Sequence, residues 1–320
     1  MSTPADHTTR GELERIDPLA PLRDGAYRDT LVEVRRVTGA RPRRSLHMVR
    51  TPHFDVVQGP ERVQVDHVVP PELVDDDLAG LLAAELFSPG WLRGPELFER
   101  LLTGVVLTSG GSALDCWTRF YRTTLARIEE SLAAGGTGSD APAGSGSGSS
   151  SGHGTIDGYA PVYAFAEQQV APGSVLELGC CFGFLSLRLA AAGHDVLASD
   201  LCEGTVGLLA AVAPRLGATL GTCAADAARF PAPDATADTV LAVHLLEHLD
   251  AEHGERVLAE AVRLARRRVV VAVPVEDVPD ETWGHVRTFT TADLEAAGRR
   301  SGLPYAVHEH HGAWLVLDTG

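Results

Sequence analysis

The sequence contains no lysine and no asparagine, so all 27 of its basic residues are arginines. Without lysine, the chain has neither a Schiff-base former nor a lysine general base. No CxxC pair occurs among the five cysteines, which are Cys116, Cys180, Cys181, Cys202 and Cys223. An odd number of cysteines in a large acidic chain is typical of reduced thiols, which predicts a cytoplasmic protein.

Long apolar runs are missing as well. No stretch approaches the roughly 20 apolar residues that a membrane-spanning helix needs, and the polar first residues lack the layout of a secretory signal. We therefore expect no membrane partner. The net charge of −16 disfavours nucleic-acid binding, which needs clustered basic residues. The short arginine-rich stretch at 35–44 is expected to be a solvated face.

The composition changes abruptly near the middle of the chain. Residues 135–152 read GGTGSDAPAGSGSGSSSG, and such a Gly/Ser tract has no apolar groups to bury and behaves as a flexible coil. With 320 residues and 44% apolar content, the chain has room for about two domains. We predict an N-terminal accessory domain at 1–134 that begins with a disordered tail, a linker at 135–152, and a second domain at 153–320.

The N-terminal part is predicted to be an α+β domain. Alternating or β-rich stretches come first, at 30–37, 45–51, 54–58 and 62–69. Leucines at helical spacing follow, and 116–132 has the pattern of a long amphipathic helix. No recognisable catalytic motif occurs here; the family resemblance described below implies a cap or acceptor-binding role for this part.

Strands and helices alternate in the C-terminal part. Strands are predicted at 175–178, 195–199, 220–223, 239–243 and 268–273, helices at 184–192, 204–213, 246–265 and 291–301, and a closing hairpin with strands at 306–309 and 313–317. This alternation predicts an α/β fold with a parallel sheet and helices on both faces. Ligands of such sheets bind beyond the carboxyl ends of the strands.

A glycine-containing loop follows the first of these strands. The run Glu177-Leu178-Gly179-Cys180-Cys181-Phe182-Gly183 ends the strand and opens a helix. Gly179 allows a tight turn, and Gly183 lets the helix begin close to the strand. A dinucleotide-binding loop usually has three glycines and no such acid. The Glu177 carboxylate repels a pyrophosphate but can bind a cationic amino group, which favours S-adenosylmethionine over NAD.

Two aspartates follow the next two strands. Asp200 ends the second strand, where a carboxylate can accept both hydroxyls of a ribose. Asp226, in the run Ala225-Asp226-Ala227 after the third strand, is placed to accept an adenine amino group. Because the carboxyl ends of parallel strands meet at one edge of the sheet, the acids together predict one nucleoside-binding site.

Over about 153–320 the sequence resembles the class I S-adenosylmethionine-dependent methyltransferases. The segments VLELGCCFGFLSLRLA, DVLASDLCEG, AADAARFPAPDATADTVLAVHLLEHLD and GHVRTFTTADLEAAGRRSGL have the order and spacing of that family. The resemblance implies a Rossmann-like sheet of seven strands, one of them antiparallel. The family usually has glycine where this chain has Cys181.

The same resemblance implies S-adenosylmethionine as the cofactor. The loop from Gly179 to Gly183 would hold the methionine portion, Asp200 the ribose and Asp226 the adenine. The full set of expected cofactor-binding residues is Glu177, Gly179, Cys181, Phe182, Gly183, Asp200, Leu201, Asp226, Ala227 and His244.

A histidine-rich run, His244-Leu245-Leu246-Glu247-His248, follows the fourth strand. Its i, i+3, i+4 spacing would place three polar side chains on one face of a helix. The run resembles that of quinone O-methyltransferases, where Glu-x-x-Glu-His can hold a divalent metal. Here His244 replaces the first glutamate, which makes a hard, oxygen-preferring cation a poorer fit. A structural role, a general-base role and a metal role stay open for this run.

A further histidine, His285, lies in the loop after the fifth strand, in Trp283-Gly284-His285-Val286-Arg287. Imidazole is suited to proton transfer near neutral pH, although a loop histidine that caps Thr290 is the competing interpretation. We predict His248 or His285 as the general base, with Glu247 orienting a histidine, and no metal ion.

The order of these motifs resembles the mycofactocin oligosaccharide methyltransferase family. The resemblance extends to the closing HEHHGAWLVLD and to the N-terminal stretches LLAAELFSPGWLRGPELFERLLTGVVL and CWTRFYRTTLARIEE. It implies O-methylation of a glucose hydroxyl on the oligosaccharide chain of mycofactocin, a peptide-derived redox cofactor, with Trp91, Trp117 and Trp283 as candidate sugar-stacking residues. Two other functions stay open: a small-molecule methyltransferase for a quinone, phenol or amine, and a non-catalytic S-adenosylmethionine-binding partner protein.

Overall fold

The structure, a computed structural model, describes residues 15–41, 43, 45–134 and 155–320. The start of the expected N-terminal tail and the Gly/Ser linker at 135–152 lie outside the described residues, so the division of the chain at this linker stays a prediction. None of the described helices combines the length and the apolar character needed to cross a membrane.

The first sheet has five short strands. They are β1 Ala26–Arg28, β2 Val32–Arg36, β3 Met48–Arg50, β4 Phe54–Gln58 and β5 Val63–His67. Their order across the sheet is β1-β2-β5-β4-β3; β2 and β5 are parallel and the other neighbours antiparallel. The strands from β2 to β5 lie within the predicted stretches. β1 was not predicted, because three residues are too few to show an alternation.

Arg41, in the stretch expected to be a solvated face, is a partner of a buried carboxylate. Its guanidinium donates to both oxygens of Asp55, at 3.1 and 3.0 Å, and to the carbonyl of Thr51 at 3.0 Å. Asp55 is buried and also accepts from Arg50. Since a buried charge needs a counter-charge, the prediction of a solvated face is wrong for Arg41.

Three helices follow the sheet: α1 Asp77–Leu82, which continues into a π-helical turn at Ala83–Phe87, α2 Pro95–Thr108 and α3 Ala113–Ala133. α2 packs on β1 and β2, and α1 and α3 pack on α2. A Cβ on Gly104 of α2 would lie 2.5 Å from Cγ2 of Val34. Glycine therefore allows the backbone of α2 to pack directly against the Val34 side chain.

The second sheet has seven strands with helices between them. The elements are α4 Thr155–Gln169, β6 Ser174–Leu178, α5 Phe184–Ala191, β7 Asp195–Asp200, α6 Glu203–Val212, β8 Gly221–Ala224, β9 Ala237–Val243, α7 Ala251–Leu264, β10 Ala265–Val273, α8 Thr291–Ser301, β11 Tyr305–Glu309 and β12 Ala313–Asp318. The strand order is β11-β12-β10-β9-β6-β7-β8, and β12 is antiparallel to both of its neighbours. The predicted seven-stranded, mostly parallel sheet is confirmed.

The segment 246–265, predicted to be largely helical, is helical in two pieces. The chain makes a short 3₁₀ turn at Leu246–His248, and Leu249 is then extended, with φ −113° and ψ 144°. Asp250 begins α7 by accepting the N–H of His253 at 2.8 Å. The turn therefore presents its polar side chains at the end of β9 rather than along a helix, and the aspartate cap marks where the helix begins.

The N-terminal helices pack against the loop between β6 and α5. The Phe182 ring lies among the rings of Trp117, Phe120 and Tyr121 of α3, at centroid distances of 5.7, 5.5 and 6.2 Å. Buried residues of both parts of the chain belong to one continuous apolar cluster. The loop after β6 is thus supported from two sides, by its own sheet and by α3.

Candidate functional site

Two left-handed backbone positions shape the loop after β6. Gly179 has a φ of 72° and Gly183 a φ of 73°. A Cβ on Gly179 would lie 2.8 Å from Cδ1 of Leu245, and one on Gly183 would lie 2.5 Å from Cδ2 of Leu209. Both positions therefore need glycine for conformation and for space.

Cys181 takes a third left-handed position in this loop, with a φ of 48°. It is exposed, whereas Cys180 is buried. The protein surroundings of Cys181 raise the pKa of its thiol, and the charges of Asp200, Asp76 and Glu99 raise that pKa further. A thiol whose pKa is raised is a poor nucleophile at neutral pH.

Asp200 ties the loop to the end of the neighbouring strand. One of its carboxylate oxygens accepts the backbone N–H of Cys181 at 3.0 Å, and the other accepts that of Cys202 at 2.9 Å. Each oxygen keeps a lone pair for a further donor. Leu201 is 75% exposed beside it, so an apolar side chain borders the carboxylate.

Asp226 and Ala227 follow β8, which is next to β7 in the sheet. The Asp226 carboxylate accepts the backbone N–H of Ala228 at 2.9 Å and lies 3.1 Å from Nε2 of His253. These two partners lower the pKa of Asp226, the backbone N–H most of all. Asp226 is exposed and ionised, in the position expected of an acceptor for a nucleobase amino group.

Glu177 is the most enclosed of the predicted cofactor-binding acids. Its carboxylate is buried in the sheet and accepts a hydrogen bond from the hydroxyl of Ser186 on α5. Burial raises its pKa to about 7, and the Ser186 hydroxyl opposes that rise. In this structure the acid therefore contacts α5, and its predicted contact with a ligand amino group stays a prediction.

His244 ends β9 with a left-handed φ of 52°. Its Nδ1 lies 3.4 Å from Oε1 of Glu247, and its ring packs against that of Tyr159 on α4 at a centroid distance of 5.2 Å. Burial lowers the pKa of His244 to about 3, helped by the nearby His285 and His248. The imidazole is neutral at physiological pH.

Glu247 is fully buried, and neither of its carboxylate oxygens has a hydrogen-bond partner among the described residues. Burial raises its pKa to about 8, and the nearby charge of Glu276 adds to the effect. Its backbone carbonyl accepts the N–H of Val286 at 2.8 Å, which fastens the 283–287 loop to the turn after β9. A buried carboxylate without a hydrogen bond is costly, which agrees with a carboxyl group that keeps its proton at neutral pH.

His248 and His285 meet beside Glu247. Their ring centroids are 5.0 Å apart, and donor atoms from the three side chains lie within 4.8 Å of one another. Nδ1 of His248 lies 3.3 Å from the carbonyl oxygen of Gly284, and Nδ1 of His285 lies 2.8 Å from Oε2 of Glu276. One carboxylate and two imidazoles at this spacing suit proton transfer, and they also have the geometry to accept a divalent cation. The expectation of no metal stays a prediction.

The N-terminal part adds acidic groups to this cleft. Burial raises the pKa of Asp76 to about 7, with Asp77 and Asp75 contributing. Asp75 and Asp77 both pair with Arg127, whereas Asp76 forms no ion pair within the described residues. Burial raises the pKa of Glu99 of α2, and the charge of Asp200 raises it further. The wall opposite the loop after β6 is therefore acidic.

The chain is similar to one family model and to several solved structures. Residues 175–268 match the family model described as "Methyltransferase domain", which is less than a third of the chain. A SAM-dependent methyltransferase from Aquifex aeolicus is 18% identical with a TM-score of 0.41, over 49% of this chain and 87% of that one. Magnesium protoporphyrin IX methyltransferase from Synechocystis PCC 6803, with bound SAM, is 17% identical with a TM-score of 0.40, over 77% and 98%. The [4+2]-cyclase SpnF is 19% identical with a TM-score of 0.42, over 57% and 69%.

The strand order gives the second part of the chain a Rossmann-like, seven-stranded sheet consistent with the class I methyltransferase fold, and residues 175–268 within it match the methyltransferase-domain model. The described residues fit S-adenosylmethionine as its cofactor. Asp200 and Asp226 offer free lone pairs at adjacent strand ends.

Sequence reasoning missed Glu276, Asp76 and Glu99. Glu276 follows β10 without any motif spacing, and the other two lie in a part of the chain with no recognisable catalytic pattern. His285 also does not cap Thr290, which was the competing interpretation of its role. Thr290 is capped by Asp293, while His285 contacts Glu276.

Proposed function

We propose that this chain is an S-adenosylmethionine-dependent O-methyltransferase that methylates a glucose hydroxyl on the oligosaccharide chain of mycofactocin. The observation that carries the proposal is the cluster of Glu247, His248 and His285 beside the strand ends that carry the loop after β6 and Asp200. A methyl donor site next to a group that accepts a proton is what methylation of a hydroxyl requires.

In the proposed complex the loop from Gly179 to Gly183 holds the methionine portion of the cofactor, with Cys181 facing it. Asp200 accepts the ribose hydroxyls and Asp226 the adenine amino group. Leu201 and Ala227 border the nucleoside, and His244 closes the methionine end. Support comes from the exposure of Leu201 and Asp226 and from the half-buried position of Asp200 at the cleft.

Bound S-adenosylmethionine supplies a methyl group on a positively charged sulfur, and the acceptor oxygen displaces that sulfur as the new O–C bond forms and the C–S bond breaks. The chain's own part is to align the acceptor, exclude water and take up the hydroxyl proton. A sugar hydroxyl is far less acidic than a phenol, so a general base contributes more for this acceptor. We assign that proton to His248 or His285, with Glu247 orienting the imidazoles.

The acceptor assignment is supported by the sequence resemblance and by Trp91, which is 48% exposed. Trp117 does not support it, because its ring is buried and its Nε1 donates to the carbonyl of Pro18 at 2.6 Å. Trp283 packs edge-on against Phe98 of α2 at 5.1 Å. It therefore joins the loop carrying His285 to the N-terminal part.

The experiment is a transfer assay with methyl-labelled S-adenosylmethionine and three acceptors: glucosylated mycofactocin, a free oligoglucoside and a catechol. We expect label on the glucosylated mycofactocin. Label on the catechol alone would contradict a saccharide acceptor and favour a small-molecule methyltransferase. Cofactor binding without transfer to any acceptor would favour a non-catalytic partner protein.

A matched pair of variants tests the cofactor site in the same assay. Asp200→Asn should lose cofactor binding, because the amide cannot accept from both backbone N–H groups and the ribose. Asp195→Asn removes an equal charge from the exposed opposite end of β7 and should bind normally. Equal binding by the two variants would contradict the ribose role of Asp200.

A further inference from the structure

The loop after β10 brings a second carboxylate to the histidine cluster. Oε2 of Glu276 lies 2.8 Å from Nδ1 of His285, and the side chains are only 13% and 8% exposed. An ionised carboxylate accepts hydrogen bonds and donates none. The Nδ1–H group of His285 therefore donates a hydrogen bond to Glu276. This leaves Nε2 of His285 with a free lone pair.

The other two histidines of the cluster have different partners. His248 contacts a neutral carbonyl, that of Gly284, at 3.3 Å, and burial lowers its pKa. His244 lies 3.4 Å from Glu247, whose own pKa is raised to about 8 by burial, so that this neighbour is largely uncharged at neutral pH. Of the three, only His285 has a close hydrogen bond to a carboxylate.

We propose that Glu276 and His285 form the base dyad of this site, with His285 as the catalytic residue and Glu276 as its positioning residue. The inference rests on the proposed methyl transfer. The hydroxyl proton passes to Nε2 of His285 while the O–C bond forms, and the electron pair of the breaking C–S bond stays on sulfur. The resulting imidazolium is held and stabilised by Glu276 through its Nδ1–H, so no further acid, base or oxidant is needed.

The other charged and titratable neighbours of His285 are Glu247 and His248 in the turn after β9, His244 directly after that strand, and Tyr159 on α4. Replacing Glu276 leaves them in place but removes a charge that raises the pKa of Glu247 and that of Tyr159. The dyad is therefore tested by the pH profile of Glu276→Gln together with rescue of a His285 variant by imidazole.

The test compares Glu276→Gln, Glu276→Asp and Glu281→Gln in the full-length chain. Glu281 is an exposed carboxylate of the same loop, so its variant removes the same charge without touching His285. We expect Glu276→Gln to lower kcat on the order of 100-fold with unchanged cofactor Kd. The acid limb of its rate profile should move to lower pH, because the imidazolium loses its counter-charge. Glu276→Asp should recover part of the rate, and Glu281→Gln should match the wild type.

A second variant tests the base directly, without relying on the contact between Glu276 and His285. His285→Gly should be inactive in buffer and recover part of its rate when imidazole is added, because free imidazole can replace the missing base. Unchanged kcat and pH profile in Glu276→Gln would overturn the proposal. The proposal would also be overturned if activity needed a divalent cation and was lost when a chelator removed that cation, and if Glu276→Gln abolished this need. An inactive wild type that still binds the cofactor would contradict the proposed function instead.

Discussion

Cys181 holds a backbone conformation that glycine adopts without strain. At a φ of 48° a side chain costs roughly 1–2 kcal/mol, partly offset by the extra freedom that glycine has in the unfolded chain. We expect Cys181→Gly to raise the free energy of unfolding by up to about 1 kcal/mol and to keep methyl transfer, as measured by urea denaturation and the transfer assay. Cys181→Ala, which keeps the strain, should gain no stability. Lost transfer with intact cofactor binding would show that the sulfur is needed.

The buried carboxyl group of Glu247 gives the protein a specific pH dependence. Its pKa is about 8 in the folded protein, mainly because of burial, against an ordinary value of 4.5. Between these values the folded protein keeps a proton that the unfolded chain has lost, so stability falls as the pH rises through this range. Over this pH range, we expect the free energy of unfolding of Glu247→Gln to fall by at least about 1 kcal/mol less than that of the wild type.

The measurement for Glu247 is the free energy of unfolding at several pH values across that interval. Glu281→Gln, at an exposed carboxylate, is the control and should follow the wild type. Equal slopes for Glu247→Gln and the wild type would mean that the carboxyl group is ionised in the folded protein.

The strand-end positions of the proposed cofactor-binding residues were easier to predict than the contacts around the proposed base. Gly179 and Gly183 follow β6, Asp200 ends β7 and Asp226 follows β8, and the edge of a parallel sheet brings these strand ends together. Glu276 meets His285 only because the loop after β10 folds back on the turn after β9. No spacing of residues in the sequence predicts this contact between Glu276 and His285.

At the scale of elements, α2 and α4 contain glycines in opposite surroundings. A Cβ on Gly104 of α2 would lie 2.5 Å from Val34, whereas no atom lies within 4 Å of a Cβ on Gly158 of α4. We expect Gly104→Ala to destabilise the protein by about 1–3 kcal/mol through overpacking. Gly158→Ala should stabilise it by up to about 1 kcal/mol, since alanine favours a helix. Thermal unfolding of both variants checks this, and a stabilised Gly104→Ala would show that α2 can move away from β2.

Elements of the second sheet were predictable because buried parallel strands are short apolar runs between helical patterns. α8 and β9 lie close to their predicted bounds. The break within 246–265 was not predicted because Leu246, Leu249 and Val257 keep an apolar pattern across it. Only the extended Leu249 and the Asp250 cap end the turn and begin α7.

At the scale of the whole molecule, the two parts share one apolar core. A polypeptide of residues 155–320 alone would expose Phe182 and Phe184, which pack against α3. We expect it to bind a hydrophobic dye and to unfold at a lower temperature than the full chain. Coexpression with 15–134 should restore the melting temperature and yield a complex that copurifies. A stable, dye-silent 155–320 fragment would contradict the shared core.

The acidic groups around Cys181, which are Asp76, Glu99 and Asp200, also affect the rate of encounter with the proposed donor. In a chain of net charge −16, these carboxylates attract a sulfonium cation over a Debye length of roughly 8 Å at physiological ionic strength. Added salt should therefore slow association of the donor. Once the methyl group has left, the sulfur is neutral and this attraction weakens, so the transfer itself loosens the hold on the spent cofactor and favours its exchange for a fresh one.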